Sequence, residues 1–298
     1  MSSFKHLPSI LTTAAFLCVA PQAWAQSAAD YGNYATYTKP AQQGQNPAGI
    51  HVYLYGGLKS HGPGEHDYPQ WLADWSKVLS EHGAVVDGSF HFPSAEHLAH
   101  TDVLVIYKGD AAYLTPQERA DLQAYIKRGG GIVTFHDSLC GPDPADFASI
   151  VGGAKKHGEV NYTLGAPITY KVADPSSPII AGLNLDGLTL YDEAFYKMTW
   201  ASSPQIHVIA TNTIPDTPSA VKGGGVGQTV PQIWTYEHTL PGGQPARAFV
   251  WMQGHTYANF ANPAIQTMIL RGIAWADHQP LTILTDYKAP PRRPGRAP

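Results

Sequence analysis

Cysteine is nearly absent from this chain: Cys18 and Cys140 are the only two in 298 residues. Cys18 falls in an N-terminal leader, so the processed chain keeps one cysteine and no internal disulfide, and its core must hold itself together. Charge is sparse as well, at 14% of residues with a formal net charge of −4. No basic stripe runs through the folded part, so nucleic acid is not an expected partner. Long apolar runs are missing too, and no membrane span is expected. The segment Ile10 to Ala20 is too short and too interrupted to cross a bilayer. With Lys5 before it and Ala23-Trp24-Ala25 after it, residues 1–25 read as a signal peptide. Leu17-Cys18 lacks the small residue that precedes a lipidated cysteine, so a soluble periplasmic or secreted protein is expected.

What the chain does have is a recurring pattern of short apolar runs ending on polar residues. Residues 26–49 are polar, with tyrosines but no apolar period, and read as an extended lead-in. Ile50 to Gly57 alternates and then turns glycine-rich, which predicts a first strand and its exit. The loop Ser60 to Pro69 (SHGPGEHDYP) follows, and Asp67 is placed to cap a helix running to His82. The apolar positions of that helix, Trp71, Leu72, Trp75, Val78 and Leu79, share one face. Ala84 to Asp87 and Asp102 to Tyr107 predict two more strands. Thr115-Pro116-Gln117-Glu118 is a capping box with proline at the first helical position. Gly129 to Phe135 makes a fourth strand, ending on His136 and Asp137.

Strands alternating with helices through short connections imply a parallel sheet built by right-handed crossovers. Beyond His136 the helical signal from Pro144 to Gly152 is weak. Ile168 to Val172 and Pro178 to Leu190 read as β-structure that turns antiparallel, with Ile206 to Ala210 and Pro231 to Tyr236 as further strands. Ala248 to Met252 leads into Gln253-Gly254-His255, and Asn262 caps a last helix to Trp275. The expected domain is therefore 50–278, followed by a disordered proline- and arginine-rich tail at 279–298.

The candidate chemistry sits at strand ends. His61 with His66, His136 with Asp137, and His255 each lie on a loop after an apolar strand. In a parallel sheet these loops share one edge, where ligands gather. Imidazole there either exchanges protons near neutral pH or binds a metal as a neutral ligand. The plainer reading is that the 14 histidines are scattered, and His82, His91, His97, His100 and His278 fit that reading. His61, His136 and His255, with Glu193 as an added carboxylate, compose a chemically reasonable mononuclear site for a divalent metal such as zinc. No helical HExxH spacing backs it. Glu193 lies in YDEAFY, where aromatic neighbours would raise its pKa and suit it to general-acid work; a turn-bonded carboxylate is the bland alternative. Tyr191, Phe195 and Tyr196 serve equally as core or as a sugar-stacking wall. Cys140 reads as an inert structural thiol, Gly223 to Gly227 as a flexible loop, and Arg247 as half of a surface ion pair.

Several of these segments taken together resemble a known family. SHGPGEHDY after the first strand, GGGIVTFHDS, VGGAKKHG with His157, YDEAFY, WMQGHT and NPAIQTMILRGIAWA are similar, in order and spacing, to the ThuA-like (trehalose-utilisation) family within the class I glutamine amidotransferase-like superfamily. The resemblance covers roughly Ile50 to Ala276. It implies a flavodoxin-like α/β fold: a mostly parallel sheet with helices on both faces, some antiparallel additions in the second half, and a site at the strands' carboxyl ends. It does not imply glutaminase activity, because His136 stands where amidotransferases carry their nucleophilic cysteine. His255 is followed by Thr256-Tyr257, without the glutamate of their triad.

Family members are associated with trehalose, sucrose and related glycosides through sugars oxidised to 3-keto forms. A 3-ketone acidifies the C2 proton; its removal gives an enediolate that expels the C1 substituent. On that analogy His136 or His255 acts as base and Glu193 as acid. His61 or His66, or a metal they bind, stabilises the enolate oxygen. A small carbohydrate is the expected substrate. The competing expectations are a non-catalytic carbohydrate-binding or accessory protein using the same cleft, and a metal-assisted hydrolase of another substrate.

Overall fold

The computed structural model describes residues 49–202 and 205–288. The leader, the lead-in up to residue 48 and the tail from residue 289 lie outside the described residues. Strand β1 (His51–Gly56) leads through the histidine-bearing loop into helix α1 (Tyr68–Glu81). Asp67 stands at the N-cap of α1, but its side chain makes no capping bond; it pairs at 2.7 Å with Lys59, which reaches back across the loop. β2 (Val85–Ser89), the short α2 (Ala95–Ala99) and β3 (Val103–Tyr107) follow. The Thr115–Glu118 capping box forms at the start of α3 (Pro116–Lys127), and β4 (Gly131–Phe135) ends at the site.

A 3₁₀ turn (His136–Leu139) joins β4 to β5 (Cys140–Gly141), α4 (Pro144–Val151) and β6 (Gly153–Lys156). Then come β7 (Tyr162–Thr169), β8 (Lys171–Val172), β9 (Thr189–Phe195), β10 (Thr199–Trp200) and β11 (Ile206–Thr213). α5 (Pro218–Gly223), β12 (Thr229–Thr239), β13 (Pro245–Trp251), a 3₁₀ turn (Tyr257–Ala261), α6 (Pro263–Ala276) and α7 (Thr282–Thr285) complete the described chain.

The main sheet has the order β2-β1-β3-β4-β13-β12-β11-β8. The first five strands pair in parallel, and β12, β11 and β8 extend the sheet antiparallel. The parallel part follows the flavodoxin-like 2-1-3-4-5 pattern, with β13 as fifth strand. That order reverses between β1 and β3, and the crevice at such a switch point is where doubly wound sheets bind ligands. Both faces are covered, as the strand pattern shows. Val52 and Leu54 of β1, Val105 and Tyr107 of β3, and Val133 and Phe135 of β4 face one core, against Trp71, Trp75 and Leu79 of α1 and Ile269 and Ile273 of α6. Their alternates Tyr53, Tyr55, Leu104, Ile106 and Ile132 face the other core, against Leu122, Tyr125 and Ile126 of α3 and Phe147 of α4. This two-residue alternation is the strand period itself. Each large side chain so buried contributes about 1.5–3 kcal/mol.

Two expectations are corrected. The stretch from Pro178 to Leu190 is not a strand until Thr189. Its backbone groups are satisfied by short-range turns instead, such as Ile180 N–H to Ser177 O, Leu183 N–H to Ile180 O and Leu188 N–H to Leu185 O. Residues 279–288, expected in the disordered tail, carry α7. Leu284 is buried there, and its carbonyl lies 2.7 Å from His82 Nδ1 at the end of α1. Leu284, with the partly buried Leu281 and Ile283 beside it, and a carbonyl contact tie this segment down, a signal too short to read from composition. Among the described residues no helix is long and apolar enough to cross a membrane.

Candidate functional site

His66, His136, Glu193 and His255 converge at the carboxyl ends of β1, β4 and β13, and each offers a ligand atom within 4.8 Å of the others. Local backbone geometry aims them. His66 and His136 have positive φ, 45° and 48°, a region that non-glycine residues seldom occupy. At His136 this sharp turn directly after β4 throws the ring back over the sheet edge, as in a nucleophile elbow. Gly254, at φ 135°, lets the chain after β13 pass close to Tyr107 and His136. His66 is pinned by its own N–H, which donates to His255 O at 3.0 Å.

The side-chain contacts are short. His66 Nε2 lies 3.0 Å from His136 Nε2. Glu193 Oε2 lies 3.0 Å from His255 Nδ1 and 3.5 Å from His136 Nε2. The Glu193–His255 contact is electrostatic and off the line of a hydrogen bond, so the buried Nδ1 has no directed partner among the described residues. His136 Nδ1 faces Met252 O at 3.3 Å. A carbonyl only accepts, so the proton of this neutral ring sits on Nδ1 and the lone pair on Nε2 points into the cluster. Phe195 stacks on His136, with centroids 5.1 Å apart and planes at 20°.

Burial sets the electrostatics. It holds His66 down to about 2, with the neighbouring His255, His61 and Lys59 adding to the effect, and keeps His136 well below its usual range. Both rings are therefore neutral at physiological pH. Burial raises Glu193, partly opposed by His255. For His255 burial is outweighed by Glu193, Asp192 and Glu65, which raise it. Asp192, pushed up to about 6 by burial, is the scaffold beneath the cluster. Its carboxylate accepts the backbone N–H groups of Glu193 (2.7 Å), Gly254 and His255 (3.0 Å), and the Asn259 amide at 2.6 Å. It thereby ties β9 to the segment after β13.

Three nitrogens and one carboxylate oxygen on four buried residues suit a borderline-soft divalent cation such as zinc. Tetrahedral zinc with bonds of about 2.0–2.1 Å places its donors about 3.3–3.4 Å apart. Three of the six separations, at 3.0, 3.0 and 3.5 Å, bracket that spacing, and all six fall within 4.8 Å, so the donors would draw together around such an ion. The undirected His255 Nδ1 and the inward lone pair of His136 are what such an ion would satisfy.

The sequence-derived candidates fall into place unevenly. His136, Glu193 and His255 are brought together, and the fourth donor is His66. His61, the third histidine of the expected metal set, is exposed on the rim. Its ring centroid is 4.0 Å from His66 and 5.4 Å from His255, and its Nδ1 reaches Ser60 Oγ at 3.1 Å. His66 outcompetes it because its ring is buried under the loop that Lys59 closes, while both rings share Ser60 Oγ. Asp137 is not among the four; it lies beside the cluster near Gly109 and Cys140. Cys140 is buried, and burial with Asp137 nearby pushes its thiol well up, as an inert residue requires. Phe195 and Tyr196 are buried, whereas Tyr191 is exposed.

Sequence reasoning missed Glu65, whose Oε1 lies 3.7 Å from His255 Nε2 at the rim. It also missed Lys155, a buried ammonium over Phe195 (5.0 Å) and Tyr162 (5.7 Å) that makes no ion pair among the described residues. Neither carries a spacing signal, although Glu65 neighbours His66.

The fold and site define a flavodoxin-like α/β protein with a histidine–carboxylate cluster at the switch-point edge of its sheet. The family model for trehalose utilisation, ThuA, matches residues 60–276, and the chain belongs to that family. The fold agrees with a ThuA-like protein of Bacteroides uniformis (TM-score 0.58, 17% identity, covering 80% of this chain and 94% of that one). A ThuA-like protein of Parabacteroides merdae is also similar (TM-score 0.55, 18% identity, 77% and 90%). Among curated proteins none matches the sequence.

Proposed function

We propose that His66, His136, Glu193 and His255 hold a divalent cation such as zinc, and that the site cleaves glycosides whose sugar carries a 3-ketone. The observation that carries this reading is the convergence of four buried donors at the ligand-binding edge of a trehalose-utilisation protein. When bound, such an ion would supply Lewis acidity toward a ketone oxygen taken up as an added ligand beside the four donors.

The chain's own residues supply the proton traffic. His66 Nδ1–H donates to Ser60 Oγ, and the Ser60 hydroxyl donates to His61 Nδ1, both at 3.1 Å. That chain keeps the His66 Nε2 lone pair directed inward and leaves the proton of the exposed His61 on Nε2. The Glu65 carboxylate, steadied by the Gly62 N–H at 3.2 Å, takes the proton from C2. The electron pair of that C–H bond forms the C1–C2 double bond, the C1–O bond breaks, and the leaving oxygen takes its proton from His61. A free alcohol and an unsaturated keto-sugar result. Asp192 holds the backbone of Glu193 and His255 in place throughout.

Incubation of the purified protein with 3-keto-trehalose, with and without added zinc, tests the reading. Metal-dependent release of glucose is expected; an unchanged sugar with metal supplied would overturn it. We propose also that the chain is exported, residues 1–25 serving as the signal. Fractionation of expressing cells checks this, since full-length protein confined to the cytoplasm contradicts it.

A further inference from the structure

Beside the cluster lies a second polar group that the proposed cation does not use. The loop after β3, the turn after β4 and the end of β6 are stitched together through their backbones. Asp110 N–H donates to Asp137 O at 3.0 Å, Ala112 N–H to Cys140 O at 3.2 Å, and His157 N–H to Gly141 O at 3.0 Å. The stitching holds Asp110, at φ 55°, against His157, whose Nδ1–H donates to Asp110 Oδ1 at 2.6 Å. The other ring nitrogen of His157 remains for a ligand. Tyr113 stands 6.1 Å away, edge to face with His157 and 53% exposed.

Behind these groups is an unsatisfied hydroxyl. Tyr68 is 1% exposed, and its phenol oxygen has no hydrogen-bond partner among the described residues. A Cβ added at Gly109 would meet only that hydroxyl and Asp137 Oδ2, each at 3.5 Å. The face of Gly109 therefore opens on both, and a buried polar group without a partner points to one that arrives from outside. These groups adjoin the cluster, since the Tyr68 ring is 5.2 Å from the His66 ring and Asp137 follows His136.

We propose that Tyr68, Asp110, Asp137 and His157, with Tyr113 as a wall, form a leaving-group subsite that binds a second, uncharged sugar ring. Two carboxylates accept from sugar hydroxyls and repel phosphorylated or acidic sugars, the phenol and imidazole donate or accept, and an aromatic face covers the ring's C–H side. The substrates are then disaccharides rather than glycosides of small alkyl alcohols. Which ring enters this subsite rests on the 3-keto-glycoside reading, but its affinity for a sugar does not.

The test is Gly109→Ala. The backbone there is not left-handed and the new methyl meets its neighbours at ordinary contact distance, so the fold and the metal cluster are retained. Glucose, the unit that trehalose would release, serves as probe in titration calorimetry or saturation-transfer NMR, with no turnover required. Wild type is expected to bind it and Gly109→Ala to bind at least about tenfold more weakly, at unchanged Tm and zinc content. Asp110→Asn, which loses the anionic acceptor without added bulk, is expected to weaken binding as well. Equal binding by wild type and Gly109→Ala, or no binding by wild type, overturns the subsite. Failure to cleave 3-keto-trehalose alongside intact, Gly109-dependent glucose binding overturns the function proposed above and leaves the subsite standing.

Discussion

His66 Nε2 and His136 Nε2 meet at 3.0 Å across 70 positions of chain. Both rings are neutral because burial disfavours their charged forms, and both reach their position through backbone turns of positive φ. Strained conformations of this kind cost about 1–3 kcal/mol each and persist where the surrounding structure enforces them. With Glu193 only 3.5 Å from His136 Nε2, lone pairs crowd one point. A cation relieves that crowding: His66 and His136 are already neutral, as binding needs, while His255 and Glu193, both shifted toward their protonated forms, release protons as the ion enters.

If this pair holds the ion, the two histidines of the β1 loop will behave differently. His66→Ala is expected to lose stoichiometric zinc on dialysis, whereas His61→Ala keeps it and loses turnover. Metal analysis of the two purified variants decides. Zinc lost from His61→Ala and kept by His66→Ala would place the rim histidine in the centre instead.

Asp192 touches no donor atom of the cluster and orients two of the residues that carry them. Asp192→Asn keeps the shape, loses the anionic acceptor for the N–H groups of Glu193, Gly254 and His255, and is expected to weaken zinc binding about 10–100-fold. Competition against a chelator measures this. The same change is expected to lower stability by about 1–3 kcal/mol, through buried donors left poorly paired. Unaltered affinity would mean that packing alone positions the ligands.

Away from the site, burial and then the neighbouring Asp102 push Asp277, at the end of α6, up to about 7 from 3.8. An acid whose folded pKa is raised binds its proton more tightly in the folded state, so the stability it gives is present at low pH. That stability is lost as pH climbs from about 4 to about 7. Asp277→Asn should therefore raise Tm at pH 8, with the gain disappearing by pH 4. A gain of equal size at both pH values would count against the assignment.

The parallel half of the fold was legible because its signals are local. Alternation from His51 to Gly56, the apolar run from Val103 to Tyr107, and the Thr115–Glu118 box each specify an element without help from distant chain. The second half was less legible. From Pro178 to Leu188 apolar residues occur without a strand, since turns satisfy the backbone and Leu185 is buried by tertiary contact alone. α4 formed despite a weak signal, because Asp143 accepts from the first-turn N–H groups and Phe147, Ala148 and Val151 find a core to enter.

The sequence by itself determined that His136 and His255 would each follow the end of a strand, since buried strands terminate where polar residues and glycine begin; that the two strands are parallel neighbours came from the structure. The sequence also determined membership of the family, through motifs in a set order. Only the tertiary structure decided that His66 and not His61 faces His136, that Asp192 lies beneath the donors, and that the Tyr68 hydroxyl has no hydrogen-bond partner among the described residues. Those facts depend on side-chain direction at positive-φ turns and on contacts between segments far apart in the chain. Residue order does not encode either of them locally.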